Sequence, residues 1–268
     1  MHSAYMLIAY KMVARKIPRN PPPEAESEAE FLSRYDPGEF EHPSVAVDVA
    51  LLTVRRERLC TLLVRRAEHP HRGRFALPGG FVGMRESLDA AARRVLQAKV
   101  GLTRLFTEQL YTFGDPGRDP RTRVISVTYI ALVEPERFAE SSALREGVSI
   151  AELGVPWEGE TGGPVSAVGA DGKELALAFD HDDILGMAVK RVRGKLGYTP
   201  IGFQLLPETF TLLELQVVHE AVLGRTLNKD SFRRKMLASG QIEATGERQA
   251  DVGHRPAELY RFVRRSAV

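Results

Sequence analysis

The segment GGFVGMRESLDAAARRVLQAKVGL, residues 79–102, constrains the fold of this chain more than any other stretch. Its apolar residues recur in steps of three and four, which predicts a helix over residues 86–99 with one buried face. The pair Gly79 and Gly80 supplies a tight loop before that helix. A glycine loop that leads into a helix N-terminus can bind phosphate, because free backbone N–H groups and the helix dipole point at it.

Three segments around this motif have the length and composition of strands: VAVDVALLTV, ERLCTLLVRR and RVISVTYIALV. They are β-branched and apolar, and charged or turn residues bound each one. The first two predict a hairpin around residues 55–58. A helix-like acidic stretch follows Val133, and a glycine-rich hairpin segment covers residues 162–179. Short strands that alternate with a few helices predict a layered α+β fold.

A length of 268 residues favours about two domains. Prolines and acids in residues 17–42 indicate an extended arm that leads into a short helix or turn. From residue 182 the apolar spacing becomes helical as far as Leu196, and Gly197 is a stop signal. We therefore expect an arm over 1–42, a first domain over 43–197 and a second over 198–268, with helix 182–196 as the candidate coupling element between the two domains.

Composition excludes several classes of protein. Hydrophobic residues make up 43% and charged residues 27% of the chain, which is typical of a globular protein and not of a disordered or fibrous one. No run of about 18 apolar residues predicts a membrane span. The apolar patch near the start lacks the flanks of a signal peptide, so we interpret it as an extension. The one cysteine, Cys60, lies in an apolar strand, which predicts a buried thiol in a cytoplasmic protein.

Charge is distributed unevenly along the chain. Residues 190–268 contain 14 Lys and Arg against 8 Asp and Glu, a net charge of +6, whereas the whole chain has +2. Such asymmetry suggests a module that faces nucleic acid, joined to one that does not. Solvated basic helical faces would produce the same asymmetry.

The C-terminal part has the outline of a helix-turn-helix. Thr211 and Glu214 form a capping box, with Phe210 and Leu215 placed as a hydrophobic staple, and Gly224 is placed to end the helix. A turn of about four residues leads to a second helix, which Asn228 or Asp230 caps and which stops at Gly240. QIEATG and AELYRF would then form a hairpin, the wing.

The second helix has the pattern of a recognition helix. Phe232, Met236 and Leu237 are expected to face the core, and Ser231, Arg234, Lys235 and Ala238 to face outward. Phosphates are met by Lys and Arg, and guanine edges by bidentate Arg. A solvated basic helix in an accessory domain would show the same pattern. The candidate DNA contacts are Lys229, Ser231, Arg233, Arg234, Lys235, His254 and Arg255.

The motif at residues 79–102 resembles the Nudix box, G-x5-E-x7-R-E-U-x-E-E-x-G-U with U a bulky aliphatic residue. Gly80, Glu86, Arg94, Leu96 and the pair Gly101 and Leu102 match it. The preceding HRGRFALPGGFV is similar to the segment before the box in family members that act on ADP-ribose-like substrates. The resemblance implies a Nudix α/β/α sandwich in which Glu86 and Arg94 form a structural ion pair.

The departures from the box predict a loss of catalysis. The family's three metal-binding glutamates correspond here to Val95, Ala98 and Lys99, which share one patch of the helix. Divalent cations need several oxygen ligands, so we expect no metal site, no required cofactor and no catalytic residues. One hypothesis is that Lys99 holds a diphosphate in place of the cations; the alternative is a solvated lysine at a helix end.

The whole pattern from residue 31 to 264 resembles the Nudix-related transcriptional regulators, the NrtR family. FTLLELQVVHEAVLGRTLNKDSFRRKML and GHRPAELYRF carry the resemblance, together with LAFDHDDILGMAVKRVRGKLGYTPI at the junction. It implies a homodimeric repressor of NAD biosynthesis or salvage genes. Such a repressor binds double-stranded operator DNA and responds to ADP-ribose or a related NAD-derived nucleotide.

Candidate ligand-binding residues follow from the loop, the box and the arginines that flank it. They are Arg65, Arg66, Arg72, Gly79, Gly80, Phe81, Glu86, Arg94 and Lys99. Exposed arginines near a strand end are usually only solvated. The alternative function is an active ADP-ribose pyrophosphatase that uses other acids, Glu108, Asp115 or Asp119, with the C-terminal module as a dimerisation domain.

Overall fold

The computed structural model describes residues 27–143, 146–250 and 255–263. The apolar patch and the proline-rich half of the predicted arm lie outside these ranges, as does His254. Contacts divide the chain into two units, residues 1–42 and 43–268. In the first unit, helix α1 (Glu28–Arg34) begins with a capping box of Ser27 and Glu30, and a 3-10 helix (Pro37–Glu39) follows. The short helix expected before residue 42 is thus present.

The second unit contains two sheets and five helices among its described residues. The elements are, in chain order, β1 (Ser44–Arg55), β2 (Arg58–Arg65), β3 (Phe75–Ala76), β4 (Gly79–Phe81), α2 (Leu88–Val100), β5 (Phe106–Phe113), β6 (Val124–Leu132), α3 (Pro135–Ala143), β7 (Val148–Gly154), β8 (Ser166–Val168), α4 (His181–Leu196), β9 (Thr209–Phe210), α5 (Leu212–Leu223), α6 (Lys229–Ala238), β10 (Ile242–Arg248) and β11 (Glu258–Phe262). None of the described helices is both long and apolar enough to cross a membrane.

The long strand β1 lies at the centre of the larger sheet, whose order is β5-β6-β1-β2-β7-β8. It runs parallel to β6 and forms the predicted hairpin with β2, where Arg55 pairs with Arg58. Near its start it also pairs with β4, which places Gly79 opposite Asp48. Both faces of β1 are buried, so its sequence is apolar almost throughout.

Helices cover both faces of this sheet. Alternate residues of β1 point to opposite sides: Val47, Val49 and Leu51 pack in one core with α2, while Ala50 and Leu52 pack in another with α4. The result is an α/β/α sandwich, and the α+β class predicted from the sequence is confirmed. Cys60 is buried, as expected.

The predicted helix of the motif begins two residues late. Ser87 is its N-cap, because the Ser87 hydroxyl accepts from the Ala90 N–H, so α2 starts at Leu88 and Glu86 lies in the preceding loop. Strands β5 and β7 were not predicted. The burial of β5 is irregular and a register shift interrupts its pairing with β6, so its sequence lacks a clean two-residue period.

The C-terminal elements form a helix-turn-helix with a wing. The Thr211–Glu214 capping box is present, Gly224 ends α5 in the left-handed region at φ 69°, and Asn228 caps α6. The three-stranded sheet has the order β10-β11-β9, in which the unpredicted β9 pairs with Tyr260 of the wing. One orientation was wrong: Leu237 is 44% exposed, because α6 packs through Phe232 and Met236.

The hydrophobic core continues across the expected boundary near residue 198. Buried residues of β1, β6 and α4 belong to the same cluster as Phe203, Phe210 and Leu215. Helix α5 packs against the hairpin of β1 and β2, and α4 contacts both α5 and the 3-10 helix Pro200–Leu205. Because close-packed cores transmit displacements, this continuity joins the two halves mechanically.

Candidate functional site

A cleft of about 230 Å³ opens beside Gly79 and Gly80, which lie in strand β4 and not in the predicted loop, because they pair with β1. Its walls come from the start of β1, from β4, from the loop 114–121 and from the entry of α4. The residues that line it are Ala46, Asp48, Arg66, Glu68, Ala76, Leu77, Gly79, Gly80, Phe81, Arg118, Asp119, Arg121, Val124, Phe179 and His181.

The carboxylate of Asp48 forms the floor of the cleft. It is 8% exposed and accepts from the Ser126 hydroxyl at 2.5 Å. A Cβ added to Gly79 would lie 2.0 Å from the Asp48 Oδ1, so the carboxylate packs directly on the glycine backbone. Glycine at position 79 of β4 is therefore required for this close approach, besides any role in phosphate binding.

A buried ion pair fastens the entry of α4 to the loop 114–121. Arg118 donates from Nε and Nη2 to the two carboxylate oxygens of Asp180, at 2.9 and 2.6 Å. The side chains are 4% and 19% exposed, and Arg118 lies 3.7 Å from the Asp48 carboxylate. Two-point pairing of this kind fixes the orientation of both groups.

His181 is a neutral spacer between Asp48 and the core. Its Nδ1 accepts from the Leu77 N–H at 2.9 Å, so its proton is on Nε2, which lies 3.8 Å from Asp48 Oδ1. Complete burial lowers the pKa of the imidazole, despite the opposing effect of the Asp48 and Asp180 charges. The ring is consequently uncharged at neutral pH.

Arg66 is the cleft arginine without a carboxylate partner among the described residues. Its Nε donates to the Pro70 carbonyl oxygen at 2.7 Å, and its guanidinium lies 4.8 Å from the centre of the Phe179 ring. The His71 ring meets the Phe179 ring in a T-shaped contact. Arg66 thus offers oriented N–H donors to an anion without breaking an existing ion pair.

The opposite wall of the cleft combines a charge pair with an aromatic ring. Arg121 donates to both carboxylate oxygens of Asp119, at 3.0 and 2.7 Å, and these bonds lower the pKa of that carboxyl. The Arg121 guanidinium lies 5.4 Å from the centre of the Phe81 ring, which is 47% exposed. An exposed aromatic ring at the rim of a cleft is suited to stacking on a base or a sugar.

The predicted ligand-binding residues therefore separate into groups. Arg66, Gly79, Gly80 and Phe81 line the cleft. Arg65 and Arg72 are exposed and lie outside its walls, since Arg65 turns toward the Gly73 carbonyl.

Glu86 and Arg94 form the expected ion pair at 2.5 and 2.9 Å, which also engages the Gly83 N–H and the Phe81 carbonyl. The hydrogen bonds from Arg94 lower the pKa of Glu86 to about 2. The pair braces the loop, whereas neither residue is part of the cleft wall.

Lys99 does not reach the cleft. Ala98 and Lys99 line a separate cavity at the end of α2, beside Thr103 and Arg137, and Val95 is buried against Gly80. The hypothesis that Lys99 replaces the cations at a diphosphate is thus not supported by its position. The three altered positions share a helix surface, but only Val95 faces Gly80 of β4.

The acids of the alternative, hydrolytic interpretation are already engaged. Glu108 binds Arg191 and Lys195 on α4, away from the cleft. Asp115 accepts from the Gly117 N–H within its own turn, and Asp119 is held by Arg121. Of the three, only Asp119 lines the cleft.

Most residues that line the cleft were not predicted from the sequence, among them Asp48, Arg118, Arg121, Phe179 and His181. Asp48 did leave a signal, since it is the one acid in the apolar strand VAVDVALLTV. A charged side chain in a strand that is buried on both faces requires a hydrogen-bond or ion-pair partner. The partner could not be identified, because Arg118 and His181 are far from Asp48 in the chain.

The candidate nucleic-acid interface is the outer surface of α6 and the wing. Ser231, Arg234 and Ala238 are exposed on this helix, opposite Phe232 and Met236. Lys229 and Arg233 lie to one side, and with Arg248 and Arg255 they line a basic groove of about 520 Å³ between α5, α6 and the wing. Such a groove is suited to a phosphate backbone.

Lys235 lies on the other side of α6. It lines a cavity of about 480 Å³ with His219, Arg225 and Phe232, under the turn that joins α5 to α6. The His219 ring contacts Phe232 edge-on, and burial together with the Lys235 charge lowers the pKa of His219 to about 4. Lys235 therefore borders the interface and does not share the outermost face with Arg234.

The cleft and the interface belong to two joined modules of a recognisable class, a Nudix domain followed by a winged helix. Residues 42–162 match the NUDIX domain, and residues 202–262 match the NrtR DNA-binding winged helix domain. The chain belongs to the NrtR family of Nudix-related transcriptional regulators. The resemblance and the fold class inferred from the sequence are confirmed.

Three relatives illustrate the similarity. The ADPR responsive transcriptional repressor NtrR of Acinetobacter baylyi is 35% identical over 242 residues, which cover 88% of this chain and 89% of the relative. The crystal structure of Shewanella oneidensis NrtR complexed with a 27mer DNA has a TM-score of 0.68 and 33% identity, covering 82% and 93% of the two chains. A MutT/nudix family protein from Enterococcus faecalis has a TM-score of 0.71 and 28% identity, covering 89% and 94%.

Proposed function

We propose that the protein is a homodimeric repressor that binds operator DNA through its winged helix and is released when ADP-ribose or a related NAD-derived nucleotide occupies the cleft. Residues 43–197 are then the sensor and residues 198–268 the DNA-binding module, acting in the cytoplasm on genes of NAD biosynthesis or salvage. The observation that carries this proposal is that one chain combines a cleft bordered by Arg66, which has no carboxylate partner among the described residues, with a basic winged helix. Helix α4 connects them. The name of the Acinetobacter relative and the DNA in the Shewanella structure support the effector and the target.

Family membership supports a regulator rather than an enzyme, and the altered positions of the motif helix agree. The side chains of Val95, Ala98 and Lys99 offer no oxygen ligands for the divalent cations of an active Nudix site. Within the part of the chain that the structure describes, no group of three or more His, Cys, Asp or Glu could hold a metal ion. These residues do not fit a catalytic metal site, and a sensor gains nothing by destroying its signal quickly.

A dimer follows from the geometry of DNA recognition. One recognition helix reads a short half-site, and two copies of α6 would meet successive major grooves about one helical turn apart. Release requires that the nucleotide bind the DNA-incompetent arrangement more tightly than the competent one.

Two assays test the proposal. In a gel shift with the upstream DNA of NAD-related genes, millimolar ADP-ribose or NAD should dissociate the complex, and AMP serves as the control nucleotide. An operator complex that withstands both effectors would refute the release step. Incubation with ADP-ribose and magnesium should yield no AMP; appreciable turnover would instead support the pyrophosphatase.

A further inference from the structure

The charges of the cleft are balanced before any ligand enters. Its walls contain three arginines, Arg66, Arg118 and Arg121, against the three carboxylates of Asp48, Glu68 and Asp119. Arg121 is engaged by Asp119, and Arg118 by Asp180. Among the described residues of these walls, a diphosphate, the group that the proposed effector brings, therefore meets one arginine that is free of an ion pair, Arg66. Binding it in a desolvated cleft requires a second one to change partner.

Arg118 is the arginine placed to change partner. Arg118 is one of the residues that line the cleft, and its Nε and Nη2 donate to Asp180. Asp48, 3.7 Å away, keeps the guanidinium in place when Asp180 is displaced. The planar guanidinium that binds a carboxylate at two points binds a phosphate with the same geometry.

Asp180 has an alternative role to take up once it is displaced. It is the N-cap of α4, a position where aspartate normally accepts from a backbone N–H of the first turn, yet its side chain makes no capping bond. Its backbone, at φ −103° and ψ 28°, lies outside the extended region usual for an N-cap. Phe179 before it is held at φ 54°, a strained conformation for a non-glycine residue.

We propose that a diphosphate in the cleft takes the place of Asp180 on Arg118, and that the freed Asp180 carboxylate then caps α4 and reshapes its first turn. This inference rests on the proposed function and supplies its coupling step. The protein then has two arrangements, one with Arg118 paired to Asp180 and one with Asp180 capping α4. The nucleotide binds the second more tightly, because only there is Arg118 available to the diphosphate. Coupling between the two sites requires such a difference in affinity.

Helix α4 carries the change to the winged helix. Its first turn lies against the cleft through Asp180 and His181, and its last turns bury Arg193 and Leu196 against α5 and the 3-10 helix before β9. A helix of 16 residues held at both ends acts as one rigid body. A displacement of the first turn of α4 is therefore transmitted to α5, on which α6 packs.

The decisive variant is Asp180→Asn, with Asp183→Asn as the matched control. Both remove one negative charge from the same turn, but Asp183 is exposed and makes no contact with Arg118. In titration calorimetry with ADP-ribose in EDTA, Asp180→Asn should bind about fivefold or more tightly than the wild type, since Arg118 no longer has an ionic competitor. Asp183→Asn should stay within about twofold. Equal affinities for the two variants would overturn the inference.

A second measurement separates this inference from the proposed function. If the wild type neither binds ADP-ribose nor leaves its operator, the proposed function fails. The role of the ion pair between Arg118 and Asp180 can still be tested by hydrogen exchange of the full-length protein without ligand. Asp180→Asn should change the exchange of amides in the first turn of α4 and at the C-terminal end of α5, and Asp183→Asn should not. A change confined to the first turn would refute transmission through α4.

Discussion

Arg193 of α4 donates from its Nε to the carbonyl oxygen of Val222, at the C-terminal end of α5, at 2.7 Å. Its Nη1 donates to the carbonyls of Trp157 and Gly159 at 3.1 Å, and its guanidinium lies 4.7 Å from the centre of the Trp157 ring. A cation beside the carbonyls that end a helix also stabilises the helix dipole. One buried side chain, 6% exposed, therefore joins the sandwich to the winged helix.

Arg193→Met should lower the free energy of unfolding by about 2–4 kcal/mol, because the buried Val222 carbonyl and the partly buried carbonyls of Trp157 and Gly159 lose a charged donor. Urea denaturation followed by tryptophan fluorescence measures it, since Trp157 is the one tryptophan of the chain. The control is Lys190→Met, on the same helix, whose ammonium makes one exposed hydrogen bond to the Thr161 carbonyl at 3.4 Å, so that its loss should cost about 0–0.5 kcal/mol. Equal losses in the two variants would contradict a special role for Arg193.

Gly79→Ala should weaken nucleotide binding by about tenfold or more. The new methyl group would lie 2.0 Å from Asp48 Oδ1, so the floor of the cleft must move, and such overpacking typically costs about 1–3 kcal/mol. Calorimetry with ADP-ribose checks the affinity. Gly197→Ala is the control, because a Cβ there meets nothing within 4 Å. Wild-type affinity in Gly79→Ala would show that the cleft does not hold the ligand.

Arg234→Ala should weaken operator binding by about tenfold, the loss expected when a single base or phosphate contact is removed. Arg234 is fully outward on α6, so its loss leaves the fold intact. Fluorescence anisotropy with labelled operator at two salt concentrations measures the effect, and a smaller salt slope would identify a phosphate contact. Arg58→Ala, an exposed arginine of the β1–β2 hairpin, should bind DNA normally. Comparable losses in both variants would refute the assignment of α6.

His219 should make stability depend on pH. Its folded-state pKa of about 4 lies below the ordinary 6.5, because burial disfavours the charged ring. As the pH falls from about 6.5 toward 4, the unfolded chain takes up a proton before the folded one does, so the stability present above pH 6.5 is lost. The loss in the free energy of unfolding that is linked to this proton uptake is at most about 3 kcal/mol.

Urea denaturation of the wild type and of His219→Leu, at intervals between pH 7.5 and 4, tests this dependence. Leucine fills much of the same apolar space and cannot take up a proton, so the variant should lose less stability than the wild type across this interval. Parallel stability curves for the two proteins would contradict the assignment.

The sequence by itself determined the local structure. Periodicity identified the motif helix, the first hairpin and the helix-turn-helix. The apolar spacing of an amphipathic helix or a buried strand depends only on residues that are close together in the chain. The caps at Thr211 and Gly224 could be predicted from the sequence for the same reason, because a cap joins groups only a few residues apart. The start of α2 was missed by two residues, since Ser87 and Glu86 both favour a helix N-terminus.

Only the tertiary structure decided which charges meet. Asp48, Arg118 and Asp180 come from a strand, a loop and a helix entry, and no spacing along the chain predicts their contact. The folded structure likewise separated Lys99 from the cleft and brought Arg66 into it, although both had been assigned to ligand binding from their positions near the motif. The physical reason is that helix and strand periods are local properties of the backbone. Ion pairs depend instead on the packing of distant segments, which only the assembled core fixes.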